Sequence, residues 1–170
     1  MDKELSRQVL HLFVGVVLAV VASVLSSSLM SALLIGLFVG CVVVFQTNNV
    51  LSRVLLSRFG RKHSRGAGVL WMLAGFIVTS LLFPAQLVAS MLVLAIADSF
   101  STIIGRQFSL SGPCWQGSLA FVVFSSAVLV FFSSSWLLIS VFLALVEAYK
   151  FGVNDNFSIP ILTGLLVFVS

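Results

Sequence analysis

The stretch LMSALLIGLFVGCVVVF, Leu29 to Phe45, holds no charged residue and reads as one continuous apolar run. Its length is close to the roughly 20 residues that an α-helix needs to cross about 30 Å of hydrocarbon. Outward from it in both directions the pattern repeats, broken each time by polar residues, Gly or Pro. The runs predict spans at 5–25, 29–45, 69–83, 85–104, 118–132, 136–149 and 157–169. Pro84 is expected to close the third and Gly105 the fourth. The last two are short for a full crossing, and a re-entrant pair buried in protein is the alternative. The expected fold class is all-α: a polytopic transmembrane helix bundle of about seven spans, forming a single integral-membrane domain over 1–170.

Composition agrees with a bilayer as the solvent. Of 170 residues, 60% are hydrophobic and 8% charged, and the mean hydropathy is +1.21. A soluble domain carries about 25% charged residues. It also leaves about a third of its unfolded surface wet, which this composition does not allow. A soluble enzyme, a disordered regulator and a nucleic-acid binder are set aside. Cys41 and Cys114 are too few and too far apart in character to form a disulfide framework or a metal site. The first residues carry both signs of charge and no clean cleavage pattern follows, so a retained first span is expected rather than a signal peptide.

The charges set the orientation. The nine basic residues are Lys3, Arg7, Arg53, Arg58, Arg61, Lys62, Arg65, Arg106 and Lys150. With seven spans they all fall on one side, while the opposite turns at Ser26 to Ser28, Pro84 and Ser133 to Ser135 hold none. The positive-inside rule makes that side cytoplasmic, with the N-terminus and the basic loop 46–68 inside. The acids Asp2, Glu4, Asp98, Glu147 and Asp155 lie on or near the same face. A channel or transporter needs a polar path through the whole thickness. Here the polar groups predict chemistry at one face, with one reactant dissolved in lipid and the other arriving from the cytoplasm.

Four constellations carry that chemistry. Glu4, Arg7, His11 and Gly15 share one narrow stripe of a helix, and a His inside an apolar span is costly unless paired. Asp98, in ADSFSTIIG, is a carboxylate inside an apolar helix, and carboxylates of this kind hold Mg2+ alongside substrate phosphates. Glu147 precedes GVNDNFSIP, where Asn154, Asp155 and Asn156 supply closely spaced oxygens; N-cap chemistry accounts for such residues equally well. The basic loop with Arg61, Lys62 and Arg65 suits either anionic headgroups or a phosphate clamp. No P-loop, zinc spacing or Rossmann glycine pattern occurs.

Together these segments carry a resemblance. ELSRQVLHLFVG resembles the opening of the CTP-dependent dolichol kinase and phytol kinase family. ADSFSTIIGRQF resembles that family's Asp-containing nucleotide motif, CWQGSLAF its Trp/Phe-x-Gly-Ser/Thr segment, and VEAYKFGVNDNFSIPI its final Glu and Asp-Asn-x-x-x-Pro segment. All four occur in the family's order. The family is distantly similar to the phosphatidate cytidylyltransferases.

The resemblance implies a membrane lipid kinase. Such an enzyme moves the γ-phosphoryl of CTP to the hydroxyl of a polyprenol or dolichol, a phytol-like isoprenoid alcohol or diacylglycerol. It implies Mg2+ as cofactor, on Asp98 and Asp155, with Glu147 or His11 taking the hydroxyl proton. Arg106, Gly105, Gly117, Ser118, Asn156, Arg7, Lys62 and Arg65 are expected around the nucleotide. The expected partners are CTP, the lipid alcohol and membrane lipids, with no nucleic acid; a homo-oligomer is compatible with the sequence. Departures are Gly112 and Pro113 where the family has lysines, Cys114 for Thr and Gln116 for Glu, so Arg106, Arg61, Lys62 or Arg65 must balance the triphosphate. The alternatives are a cytidylyltransferase making a CDP-lipid, or an inactive relative that binds or transports lipid phosphate.

Overall fold

The computed structural model describes residues 3–47, 67–108, 114–149 and 153–170, and these residues form helices and short connections with no strand. In chain order the helices are α1 (Lys3–Val24), α2 (Ser27–Gln46), α3 (Ala67–Leu82), α4 (Pro84–Phe108), α5 (Trp115–Leu129), α6 (Trp136–Tyr149) and α7 (Asp155–Val169). Three of them, α1 from Glu4, α2 and α4, are long and apolar enough to cross a membrane, and the other four are shorter apolar helices.

Local chemistry explains most of the boundaries. Pro84 does not merely close α3. It opens α4 as the first residue of a 3-10 turn, Pro84–Gln86, where a missing N–H removes nothing from the ladder. Asn154 caps α7, its side chain accepting the Asn156 N–H, as Asn does at this position generally. Gly105 was expected to end the fourth helix, and here the expectation fails: α4 runs on to Phe108. Trp115 to Gly117, expected in a polar loop, form the first turn of α5. A Cβ at Gly117 would stand 3.1 Å from the Ser101 carbonyl oxygen and 3.3 Å from the Gly105 Cα. Gly117 therefore serves the crossing of α4 and α5, where the Ser101 carbonyl and the Gly105 backbone leave little room for a side chain.

Helix α4 is the centre of the bundle and packs on α1, α3, α5 and α7; α6 packs on α5 and α7, and α2 on α3. It is not a uniform α-helix. Leu87–Leu92 is α-helical, Val93–Asp98 is a π turn, and Ser99–Phe108 is α-helical again. The π turn packs on α1, α5 and α7 at once. Around it the core is filled by Phe76, Met91, Leu94, Phe121, Leu129, Leu143 and Ile159, all buried. Phe100 stacks on Phe124 at 4.2 Å between ring centres, joining α4 to α5.

The pairing of α3 with α7 follows from Pro160. Inside α7, Pro160 has no N–H to give the carbonyl four residues back. That carbonyl belongs to Asn156, and Gly75 of α3 faces it: a Cβ at Gly75 would stand 3.0 Å from the carbonyl oxygens of Asn156 and Phe157. Asn156 Nδ2 also donates to the Gly68 carbonyl at 3.2 Å. The opposite ends of these helices meet through Phe83 and Phe168, and the α5–α6 turn reaches the same end through Ser133 and Ser170, 2.6 Å apart. Glu147 and Asp155 lie near the opposite ends of α6 and α7 from that contact, and Glu4, Arg7, Asp98 and Arg106 lie together on α1 and α4.

Candidate functional site

Helices α1 and α4 run antiparallel, and the stripe seen in the sequence of α1 meets a matching stripe of α4. From the rim inward, Glu4 and Gln8 lie beside Arg106 and Thr102, His11 beside Asp98, and Gly15 beside Ala95. Ser99 Oγ ties the seam by donating to the Gln8 carbonyl at 3.3 Å. Glu4 pairs with Arg7 one turn before His11.

The centre of the seam is polar and buried. Asp98 is 7% exposed. His11 Nε2 lies 3.8 Å from Asp98 Oδ2, beyond hydrogen-bond reach. Nε2 is buried and has no hydrogen-bond partner, a condition it shares only with Ser126 Oγ among the described side chains. The His11 ring does hydrogen-bond the Leu94 carbonyl, so that bond uses Nδ1. A donor at Nδ1 leaves the Nε2 lone pair open in the neutral ring. The open Nε2 thus faces the Asp98 carboxylate across a gap, where a group that donates to Nε2 would complete the ring.

The other buried hydroxyls are different in kind. Thr79, Ser90, Ser125, Ser140 and Thr163 each donate back to a carbonyl of their own helix. Those groups are locally satisfied, unlike His11 Nε2 and Ser126 Oγ, and of these two His11 Nε2 has a buried carboxylate facing it.

Further site residues spread around this pair. Asp155 begins α7 half-buried, and both Asp155 and Arg7 are close enough to His11 for their charges to act on its ring. Asp155 Oδ1 accepts the Asn156 N–H at 2.9 Å. The Asn156 amide is engaged with Gly68, which is structural work. Gly105 and Gly117 face each other, as described, and Ser118 sits half-buried in the first turn of α5 with its N–H on the Cys114 carbonyl. Cys114 Sγ in turn donates to the Gly105 carbonyl at 3.3 Å. Glu147 is half-buried near the end of α6, on the far side of α5 and α7 from α1. Arg106 is exposed at the rim of a cleft of about 250 Å3 lined also by Glu4, Gln8, Thr102 and Gln107. Lys62 and Arg65 lie outside the described residues, as do Arg61, Gly112 and Pro113.

Two curated relatives place the chain among known sequences. It is 25% identical over 180 residues to the uncharacterized protein MJ1137 of Methanocaldococcus jannaschii, covering 97% of this chain and 93% of that one. It is 31% identical over 142 residues to the uncharacterized protein RP860 of Rickettsia prowazekii, covering 69% and 70%. The chain belongs to the family of this Rickettsia protein. No family model and no solved structure matches it.

What this family member offers a metal is limited but definite. Among the described residues no group of three or more His, Cys, Asp or Glu is close enough to hold an ion. That does not fit a zinc-type cage, which needs three or four protein ligands. Mg2+ would ask less of the protein, one or two carboxylates with water and substrate phosphates completing its shell, and the buried Asp98 is the carboxylate that would hold it. Two participants were missed in the sequence, Gln8 and Ser99. The signal was there: Gln8 lies four residues after Glu4 and three before His11, on the same stripe.

Proposed function

We propose that the chain is a multi-pass integral membrane protein and a CTP-dependent lipid kinase, transferring the γ-phosphoryl group to the hydroxyl of an isoprenoid alcohol or diacylglycerol. The membrane reading rests on the outward faces. Val9, Phe13, Val17 and Val20 on α1, Leu33, Leu37 and Val43 on α2, and Leu138, Phe142 and Leu145 on α6 are all exposed. A soluble monomer rarely bares apolar surface on this scale. With the charges gathered at one end, the positive-inside rule puts that end in the cytoplasm.

The observation that carries the kinase reading is the buried, unpartnered His11 Nε2 facing Asp98 Oδ2 across 3.8 Å. A lipid hydroxyl entering that gap would donate its one proton to Nε2, the open acceptor, and the Asp98 carboxylate would stabilise the imidazolium that forms. The hydroxyl oxygen forms a bond to the γ-phosphorus, the bond from that phosphorus to the β–γ bridging oxygen breaks, and CDP leaves. Transfers of this type ask the protein for alignment and charge neutralisation more than covalent help. Mg2+, when bound, supplies part of that neutralisation. Arg106 supplies another part from the cleft rim, where a guanidinium grips phosphate with two N–H groups.

The test is purified protein in detergent with labelled CTP, Mg2+ and a panel of lipid alcohols. A phosphorylated alcohol and CDP are expected. Pyrophosphate and a CDP-lipid would instead make the protein a cytidylyltransferase, and lipid-phosphate binding without turnover would make it an inactive or transporting relative.

A further inference from the structure

We propose that Gly15 is a positioning residue: by receiving the methyl of Ala95 it holds the π turn of α4 and so keeps Asp98 opposite His11. The proposal rests on the reading of the His11–Asp98 pair as the reactive centre.

The contact is extreme. A Cβ built on Gly15 would lie 2.4 Å from the Ala95 Cβ, 3.4 Å from its Cα and 3.8 Å from the Met91 carbonyl oxygen. The first distance cannot exist between two carbons, so any side chain at position 15 must push α4 away. The nearest listener is short, a methyl with no rotamer to change, so the push passes directly to backbone.

That backbone departs from the α-helix on either side of it and can be drawn back toward α geometry. Val93–Asp98 is a π turn, and Ala95 is its third residue and Asp98 its last. A π turn holds one residue more than an α turn, and such turns occur mostly as isolated insertions at functional sites. Relaxing it to α-helix changes the rotation between the two halves of the helix by about 100°, one residue's worth. Asp98 stands at the end of the widened turn, so that rotation takes its carboxylate out of the seam.

Helix α1 grips the turn at three levels. Gly15 takes Ala95. The His11 ring takes the Leu94 carbonyl. The Gln8 carbonyl takes the Ser99 hydroxyl. Only the first is steric and without adjustment, and it lies nearest the middle of the turn.

The compensating pair gives the test. Gly15→Ala adds the offending methyl, and adding Ala95→Gly removes its counterpart. In Gly15→Ala we expect kcat to fall by about 100-fold, the loss typical of a misplacement near 1 Å. The KM for CTP should stay within about threefold, as when an interaction made only in the transition state is lost, with kcat referred to the folded fraction measured by circular dichroism and size-exclusion chromatography in detergent. In Gly15→Ala/Ala95→Gly most of the rate should return. A second readout needs no turnover: with 15N-histidine in detergent, the ring signal lost in His11→Gln should shift in Gly15→Ala and return in the double variant. Should Gly15→Ala fail to fold, the double variant decides, since it must fold and turn over. Wild-type kcat in Gly15→Ala, or a folded double variant that stays slow with a displaced His11 signal, overturns the proposal. Absence of CTP-dependent transfer in the wild type would sink the kinase reading instead and leave the NMR comparison to judge the role of Gly15.

Discussion

His11 and Asp98 come from the first and fourth helices and meet in a seam with 3.8 Å between Nε2 and Oδ2, too far to bond and close enough to share a third group. Replacing Asp98 by Asn keeps the shape of the side chain and removes its charge. We expect Asp98→Asn to lose about 100-fold or more in turnover, as when one preorganised polar group is removed from a reacting site. Thermal stability in detergent should stay close to wild type, because the amide has the carboxylate's shape and carries no charge to bury. Turnover near wild type, measured with labelled CTP and a lipid alcohol, would remove Asp98 from the reaction.

Arg106 stands at the rim of the α1–α4 cleft and should serve the triphosphate. Arg106→Ala is expected to raise the KM for CTP at least tenfold, about 1.4 kcal/mol. Nucleotide titrations of the rate check this. Unchanged CTP kinetics, together with loss in a triple Ala variant of Arg61, Lys62 and Arg65, would move the phosphate contacts to the other basic segment.

Two glycine substitutions should part ways. A Cβ at Gly75 meets two carbonyl oxygens at 3.0 Å and the Phe157 Cα at 3.2 Å, all backbone, whereas Gly40 has nothing within 4 Å. Gly75→Ala should destabilise by about 1–3 kcal/mol, the range for overpacking a fixed site. Gly40→Ala should be neutral or gain up to about 1 kcal/mol from helix propensity. Unfolding in detergent followed by circular dichroism separates them; equal midpoints would contradict the α3–α7 packing described.

Orientation can be read in cells. In a background of Cys41→Ser and Cys114→Ser, which retains a hydroxyl donor for Gly105, one new cysteine is placed at Gln107 or at Ser170. Both positions are exposed. An impermeant maleimide should label Ser170→Cys in intact cells and reach Gln107→Cys only after lysis. The reverse pattern would invert the proposed orientation.

The helices were legible because their signal is collective. Each apolar run averages over many residues, so the expected limits 29–45 and 136–149 lie close to Ser27–Gln46 and Trp136–Tyr149. Single-residue signals served less well. Gly105 and Gly117 read as a helix end and a nucleotide loop, yet they sit inside helices, and Gly117 lies where α5 comes close to the Ser101 carbonyl and the Gly105 Cα. His11 and Asp98 stood out on cost, since polar groups in apolar runs demand a reason. The π turn was not legible: Val93 to Asp98 contains no Gly or Pro, and the turn gains its contacts from α1, α5 and α7, which no local window contains.

The antiparallel seam also carries a timetable. During synthesis α1 emerges well before α4, so His11 enters its surroundings long before Leu94 and Asp98 exist to receive it. A polar ring deep in that helix would wait in hydrocarbon at several kcal/mol. One turn past the Glu4–Arg7 ion pair, it waits instead near the charged end of α1, where water can serve until the partner arrives. On the proposed lipid-kinase reading, the depth of the pair is therefore bounded from two directions: by the lipid it would meet, and by the interval its first half must survive alone.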